Sequence, residues 1–157
     1  MSRQIFDSST SNDTKARQRW MGVLAKAGPA PLEAYWTALD DPPAYRMLRP
    51  AETGLVMVRG RIAGTGAPFN VGEMTMTRCA LQLADGPTGF GHVAGRSRRH
   101  AELAALFDAM LQDPARHDAI ERGLIGPLAA AQAARRAQRA NEAAATKVEF
   151  LTMVRGE

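Results

Sequence analysis

The chain has 157 residues, 45% apolar and 23% charged, a balance that excludes wholesale disorder and is enough for one domain with its own core. No apolar run approaches the ~18 residues of a membrane helix, the N-terminus lacks a secretory leader's apolar stretch, and the single cysteine, Cys79, excludes an internal disulfide and a multi-cysteine metal site. A net charge of +4 is spread evenly, with ten basic and eight acidic residues on each side of residue 93, whereas nucleic-acid binders concentrate theirs on one face. The expectation is a cytoplasmic protein with neither a nucleic-acid nor a membrane partner.

Residues 1–12 are small and polar and read as a loose tail ahead of one domain over 13–157. Asn12 or Asp13 can cap a helix running to about Ala27, with Trp20, Val23, Leu24 and Ala27 on one face, and Gly28-Pro29 stops it. A short second helix from Pro31 to Leu39 sets Leu32, Tyr35, Trp36 and Leu39 together. Asp40-Asp41-Pro42-Pro43 ends that pattern.

The period then changes to that of strands. Leu55 to Val58 is a β run extended through Ile62, and Gly64 to Asn70 is rich in turn residues. A second strand spans Glu73 to Leu83. Met74 and Met76 fall in one phase of it and Cys79, Leu81 and Leu83 in the other, so a bulge near Thr77-Arg78 is expected to bring all five to one face. Asp85-Gly86-Pro87 signals a hairpin into a third strand, Phe90 to Ala94.

Helical spacing returns near Ser97, with Ala101, Ala104, Phe107 and Leu111 on one face, widened by Leu103, Leu106 and Met110. Asp113-Pro114 starts a short helix carrying Ile120 and Leu124. Gly126-Pro127 permits a bend before a long helix to about Ala145. Lys147 to Arg155 alternates Val148, Phe150, Thr152 and Val154 against Glu149, Leu151 and Met153, and reads as a final strand. The fold class is therefore α+β: a mostly antiparallel sheet of about four strands, the central hairpins plus the C-terminal strand, packed with N-terminal and C-terminal helices.

Few residues carry recognisable chemistry. Gly64-Thr65-Gly66 leads into another strand with Phe69 where a dinucleotide fingerprint needs glycine, so it reads as a hairpin connection. Arg59 and Arg61 share a strand face. With Arg78 beside them they would bind a polyphosphate or a partner's acidic patch; the alternative is a solvated sheet face with Glu52 and Glu73 as local partners. His92, His100 and His117 have no metal-ligand spacing. His100 reads as plain surface in the first turn of its helix, and Cys79 as a small buried hydrophobe. No catalytic residue is assigned. Ten of the seventeen residues from Ala129 to Ala145 are alanine. Ala130, Ala133 and Ala137, with Arg135 and Arg139, form a candidate interface, because small residues allow close approach; a solvated helix is the alternative.

Arg49 to Val56, Gly64-Thr65-Gly66, Glu73 to Arg78 and Phe150 to Gly156, in that order, resemble the PhnG family of the bacterial carbon–phosphorus lyase system. The similarity runs from about Arg17 to the C-terminus. It implies a subunit of a hetero-oligomeric core complex with PhnH, PhnI and PhnJ-like proteins. Such a complex supports displacement of adenine from MgATP by a phosphonate, giving alpha-D-ribose 1-phosphonate 5-triphosphate, with catalysis mainly in a partner. MgATP is then a substrate of the complex, and this chain alone binds no cofactor. The competing expectation is an independent nucleotide- or polyphosphate-binding protein using the Arg-flanked glycine loop.

Overall fold

Helix α3 (Arg98–Leu111) is the element around which the others are arranged. His100, Ala101 and every residue from Leu103 to Leu111 are buried, as suits a helix that is apolar nearly all round. Ser97, extended at φ −79° and ψ 100°, caps it by accepting from the His100 N–H. The computed structural model describes residues 4–84 and 86–146, with the backbone alone over 4–12 and at Ala63.

The elements before α3 follow the expected order. Helix α1 (Gln4–Ala27) buries Trp20, Val23 and Leu24, the face read from the sequence. It starts at Gln4, so Asn12 and Asp13 lie inside a helix and do not cap it. Once nucleated, a helix extends through weak formers at small cost per residue. Gly28, at φ 78°, turns the chain into α2 (Pro29–Thr37). There Tyr35 and Trp36 meet the Phe107 ring edge-on, at 5.7 and 6.5 Å between centroids. The two tryptophan-bearing helices thus converge on α3.

Strands β1 (Tyr45–Arg61), β2 (Pro68–Leu83) and β3 (Thr88–Ala94) form an antiparallel sheet in that order. Among the described residues the sheet has three strands, not about four; the expected strand from Lys147 to Arg155 lies outside them. The bulge expected near Thr77-Arg78 is absent. Thr77 pairs with Thr53 and Val93, and Arg78 with Glu52 and His92, in unbroken register. The irregularities fall instead between Met47 and Glu52 on β1 and opposite Val58/Arg59, where β2 steps from Gly72 to Asn70. Consequently Thr77, Cys79, Leu81 and Leu83 face the helices and are buried, while Met74 on the other face is 37% exposed. The two methionines thus lie in the phase opposite the core one, the phase of Arg78.

β3 meets α3 through glycine. A Cβ at Gly89 would stand 1.9 Å from the Ala105 carbonyl oxygen, and one at Gly91 2.0 Å from that of Ala101. Sheet and helix backbones therefore approach as closely as Gly on one side and Ala101, Ala105 and Ala109 on the other permit.

After α3, Asp113 caps α4 (Pro114–Ile120) by accepting from the Ala115 N–H. A π-helical turn over Glu121–Ile125 leads into α5 (Gly126–Ala145). Pro127 lies in the first turn of α5, so its missing N–H is absorbed at the change of register. No helix among the described residues is long and apolar enough to cross a membrane.

Candidate functional site

The three sequence-selected arginines do not converge. Arg59 and Arg61 pair with Asn70 and Pro68 near the β1–β2 hairpin end, whereas Arg78 stands opposite Glu52. Glu52 is seven residues from Arg59 along β1, roughly 23 Å at ~3.3 Å per residue. The odd-numbered residues from Thr53 to Arg61 also point to the face opposite Glu52 and Arg78, because strand side chains alternate and β1 carries no extra residue there. Arg61 donates Nη1–H to the Gly66 carbonyl at 3.0 Å, within the β1–β2 connection. Convergence of all three beside the glycine loop is therefore not observed; Arg59 and Arg61 stay near it and Arg78 does not.

Arg78 joins a different cluster. Its Nε donates to Glu52 Oε1 at 2.6 Å, and Arg49 Nη1 donates to the same oxygen at 2.9 Å. These bonds, Arg78 first, hold the Glu52 carboxyl below the usual carboxylate range. Glu52 is the local partner the sequence offered for Arg78. Arg49 joined it unannounced, because irregular pairing over 47–52 brings it beside an acid that regular alternation would not. Arg49, Arg78, Phe90 and His92 line a shallow concavity of about 350 Å³ on the open sheet face.

The buried polar residues are structural. Asp108, fully buried, accepts from Arg17 Nε at 3.1 Å and Nη2 at 2.7 Å, from Trp20 Nε1 at 2.9 Å and from the Phe90 N–H at 2.9 Å. One carboxylate thus ties α1, α3 and β3 together. Arg17 and Trp20 also line a groove of about 720 Å³, beside Gln112 and His117. His100 is 5% exposed and donates Nε2–H to the Leu24 carbonyl at 2.9 Å, so it is a core residue joining α1 to α3 and not the surface residue expected. His117 likewise donates Nδ1–H to the Leu111 carbonyl at 2.7 Å. Arg99 holds Glu33 by two bonds, at 2.7 and 2.8 Å, which lowers the Glu33 pKa. Cys79 is buried as expected; desolvation, with the Glu102 charge adding, pushes its thiol up to about 11. Among the described residues no group of three His, Cys, Asp or Glu is arranged to hold a metal ion.

The surface is more distinctive than any cavity. Gln132 Nε2 donates to the Val23 carbonyl at 2.9 Å. Beyond it Ala133, Arg135, Ala137 and Arg139 are all exposed, as is Ala130 before it. The sheet shows large apolar residues to solvent along β1 and β2, among them Leu55, Met57, Phe69 and Val71.

Comparison with known proteins sharpens this. The family described as phosphonate metabolism protein PhnG matches residues 15–156. The alpha-D-ribose 1-methylphosphonate 5-triphosphate synthase subunit PhnG of Rhizobium meliloti (strain 1021) is 45% identical over 150 residues, covering 94% of this chain and 96% of the relative.

Proposed function

This chain belongs to the PhnG phosphonate-metabolism family, and from that premise we propose that it is a non-catalytic or site-completing subunit of the carbon–phosphorus lyase core complex. Its partners are PhnH, PhnI and PhnJ-like subunits. Together they support the phosphonate-dependent displacement of adenine from MgATP, giving alpha-D-ribose 1-phosphonate 5-triphosphate. MgATP is a substrate of the assembled complex, and catalysis lies mainly in a partner subunit.

The observation that carries this reading is the exposed apolar surface. Ten large apolar residues of the described chain are exposed, and all lie between Tyr45 and Phe90. Large apolar side chains exposed in this number on one stretch of chain are what a protein partner covers. A relative that is itself named as a synthase subunit supplies the type of assembly. The alanine-rich face of α5, with Arg135 and Arg139, is a second surface open to a partner.

Tagged co-expression with the PhnH, PhnI and PhnJ-like proteins of the same organism, followed by size exclusion with light scattering, tests the proposal. Co-elution in a hetero-oligomer is the expected result. Elution as a separate species that turns over ATP alone would refute it.

A further inference from the structure

β3 ends at Ala94, opposite Met76. Beyond that point the sheet has only two strands, residues 55–61 of β1 against 68–75 of β2. A two-stranded ribbon is marginal in water by itself. This one also carries apolar side chains on both faces. By strand alternation Leu55 and Met57, 65% and 53% exposed, share one face; Phe69 and Val71, 45% and 60% exposed, lie on the other. Val71 is placed there by its contact across the ribbon, where a Cβ at Gly60 would meet Val71 Cγ2 at 2.6 Å. An antiparallel pair with one face in water shows a polar outer face, and apolar residues on both faces read as burial on both.

The charges say what kind of surface buries it. Arg59 and Arg61 lie on the face of Leu55 and Met57, and neither is ion-paired to a carboxylate among the described residues. We propose that the distal ribbon is an arm inserted between two apolar surfaces of another subunit of the complex, whose carboxylates meet Arg59 and Arg61. The inference rests on the subunit reading and adds to it which element docks and the chemistry of its receptor. A second copy of this chain fits poorly. Its α5 presents Arg135, Arg136 and Arg139 with Glu142 as the one acid, and its own ribbon presents the same two arginines against the single acid Glu73, opposite Met57. Like charges facing one another across an interface select against that pairing, whereas an acidic receptor is complementary.

The test is co-expression of the full chain with the other subunits, comparing wild type with Leu55→Glu, Val71→Glu and the pair Arg59→Glu/Arg61→Glu. All four positions are exposed, so circular dichroism and thermal melting of the isolated variants should match wild type. Each apolar substitution is expected to lower partner capture by about tenfold or more, as for residues at the centre of an interface. The arginine pair should lower capture and flatten its dependence on salt. If wild type assembles and both Leu55→Glu and Val71→Glu assemble equally well, the inference fails while the subunit reading stands. Loss on one face alone overturns insertion between two surfaces. Self-association of the isolated chain that the same substitutions abolish overturns the acidic partner in favour of a second copy. Wild type that captures no subunit defeats the subunit reading, and the inference with it.

Discussion

Arg17 and Asp108, 91 residues apart in sequence, form a two-bond ion pair at 3.1 and 2.7 Å, with the carboxylate fully buried and the guanidinium side chain 31% exposed. The Arg17 guanidinium also lies 5.6 Å over the Phe90 ring. This pairing fixes the N-terminal helix to the central helix and the edge strand. Its geometry answers every acceptor Asp108 offers, which is the condition under which a buried carboxylate is tolerated.

Removing that carboxylate should therefore be costly. Asp108→Ala leaves Arg17, the Trp20 indole N–H and the Phe90 N–H without their acceptor, and is expected to lose about 3–5 kcal/mol. Urea unfolding measures the loss. Arg19→Ala, which removes a more exposed pair with Glu121, should cost no more than about 1 kcal/mol in the same assay. Equal effects would contradict the role given to Asp108.

The close contact between β3 and α3 makes a second expectation. Gly91→Ala puts a methyl group against the Ala101 carbonyl, which backbone cannot evade by rotamer change. The variant should lose about 3 kcal/mol or more, at the upper end of overpacking effects, and show a lower melting temperature or poor soluble yield. Gly54→Ala, with nothing within 4 Å of its added Cβ, should fold as wild type.

Cys79 gives a pH-dependent prediction. Folding raises its pKa from an ordinary 9.0 to about 11, so the native state favours the protonated thiol. That contribution to stability is complete below pH 9 and is lost as the pH rises from 9 towards 11. Cys79→Ala should remove this component from the pH dependence of unfolding. In the native wild type, iodoacetamide at pH 8 should leave the thiol unlabelled until denaturant is added.

On α5, Ala133→Leu with Ala137→Leu adds bulk at two exposed positions. The isolated chain should retain its stability to within about 0.5 kcal/mol. If a partner helix packs closely on that face, co-elution with the other subunits should fall sharply, and unchanged assembly would assign the face to solvent.

Arg61→Ala and Arg78→Ala should act independently. Their separation along the ribbon and their opposite faces predict additive effects on assembly to within about 0.5 kcal/mol. A larger coupling energy in a double-mutant cycle would mean that a partner brings the two guanidinium groups together.

Much of this protein was determined by local sequence. Apolar spacing set the helices and the faces of Trp20, Val23, Leu24, Leu32 and Phe107, because burial follows helical and strand periods that any reader of the chain can count. Gly28-Pro29, Ser97 and Asp113 marked helix ends, because caps and breakers act within a turn. The order of blocks along the chain was enough to point to the PhnG family. The tertiary structure alone decided how distant residues meet. His100 became a core donor because the Leu24 carbonyl happens to face it, and Asp108 gained four partners from three elements. Register was likewise not legible: irregular pairing at 47–52 and at Val71 sent Arg78 to Glu52 and left Arg59 and Arg61 at the far end of the ribbon, on the other face. A strand's alternation fixes which side chains share a face, but only pairing with its neighbour fixes what stands opposite, and that depends on backbone approach that no spacing rule encodes.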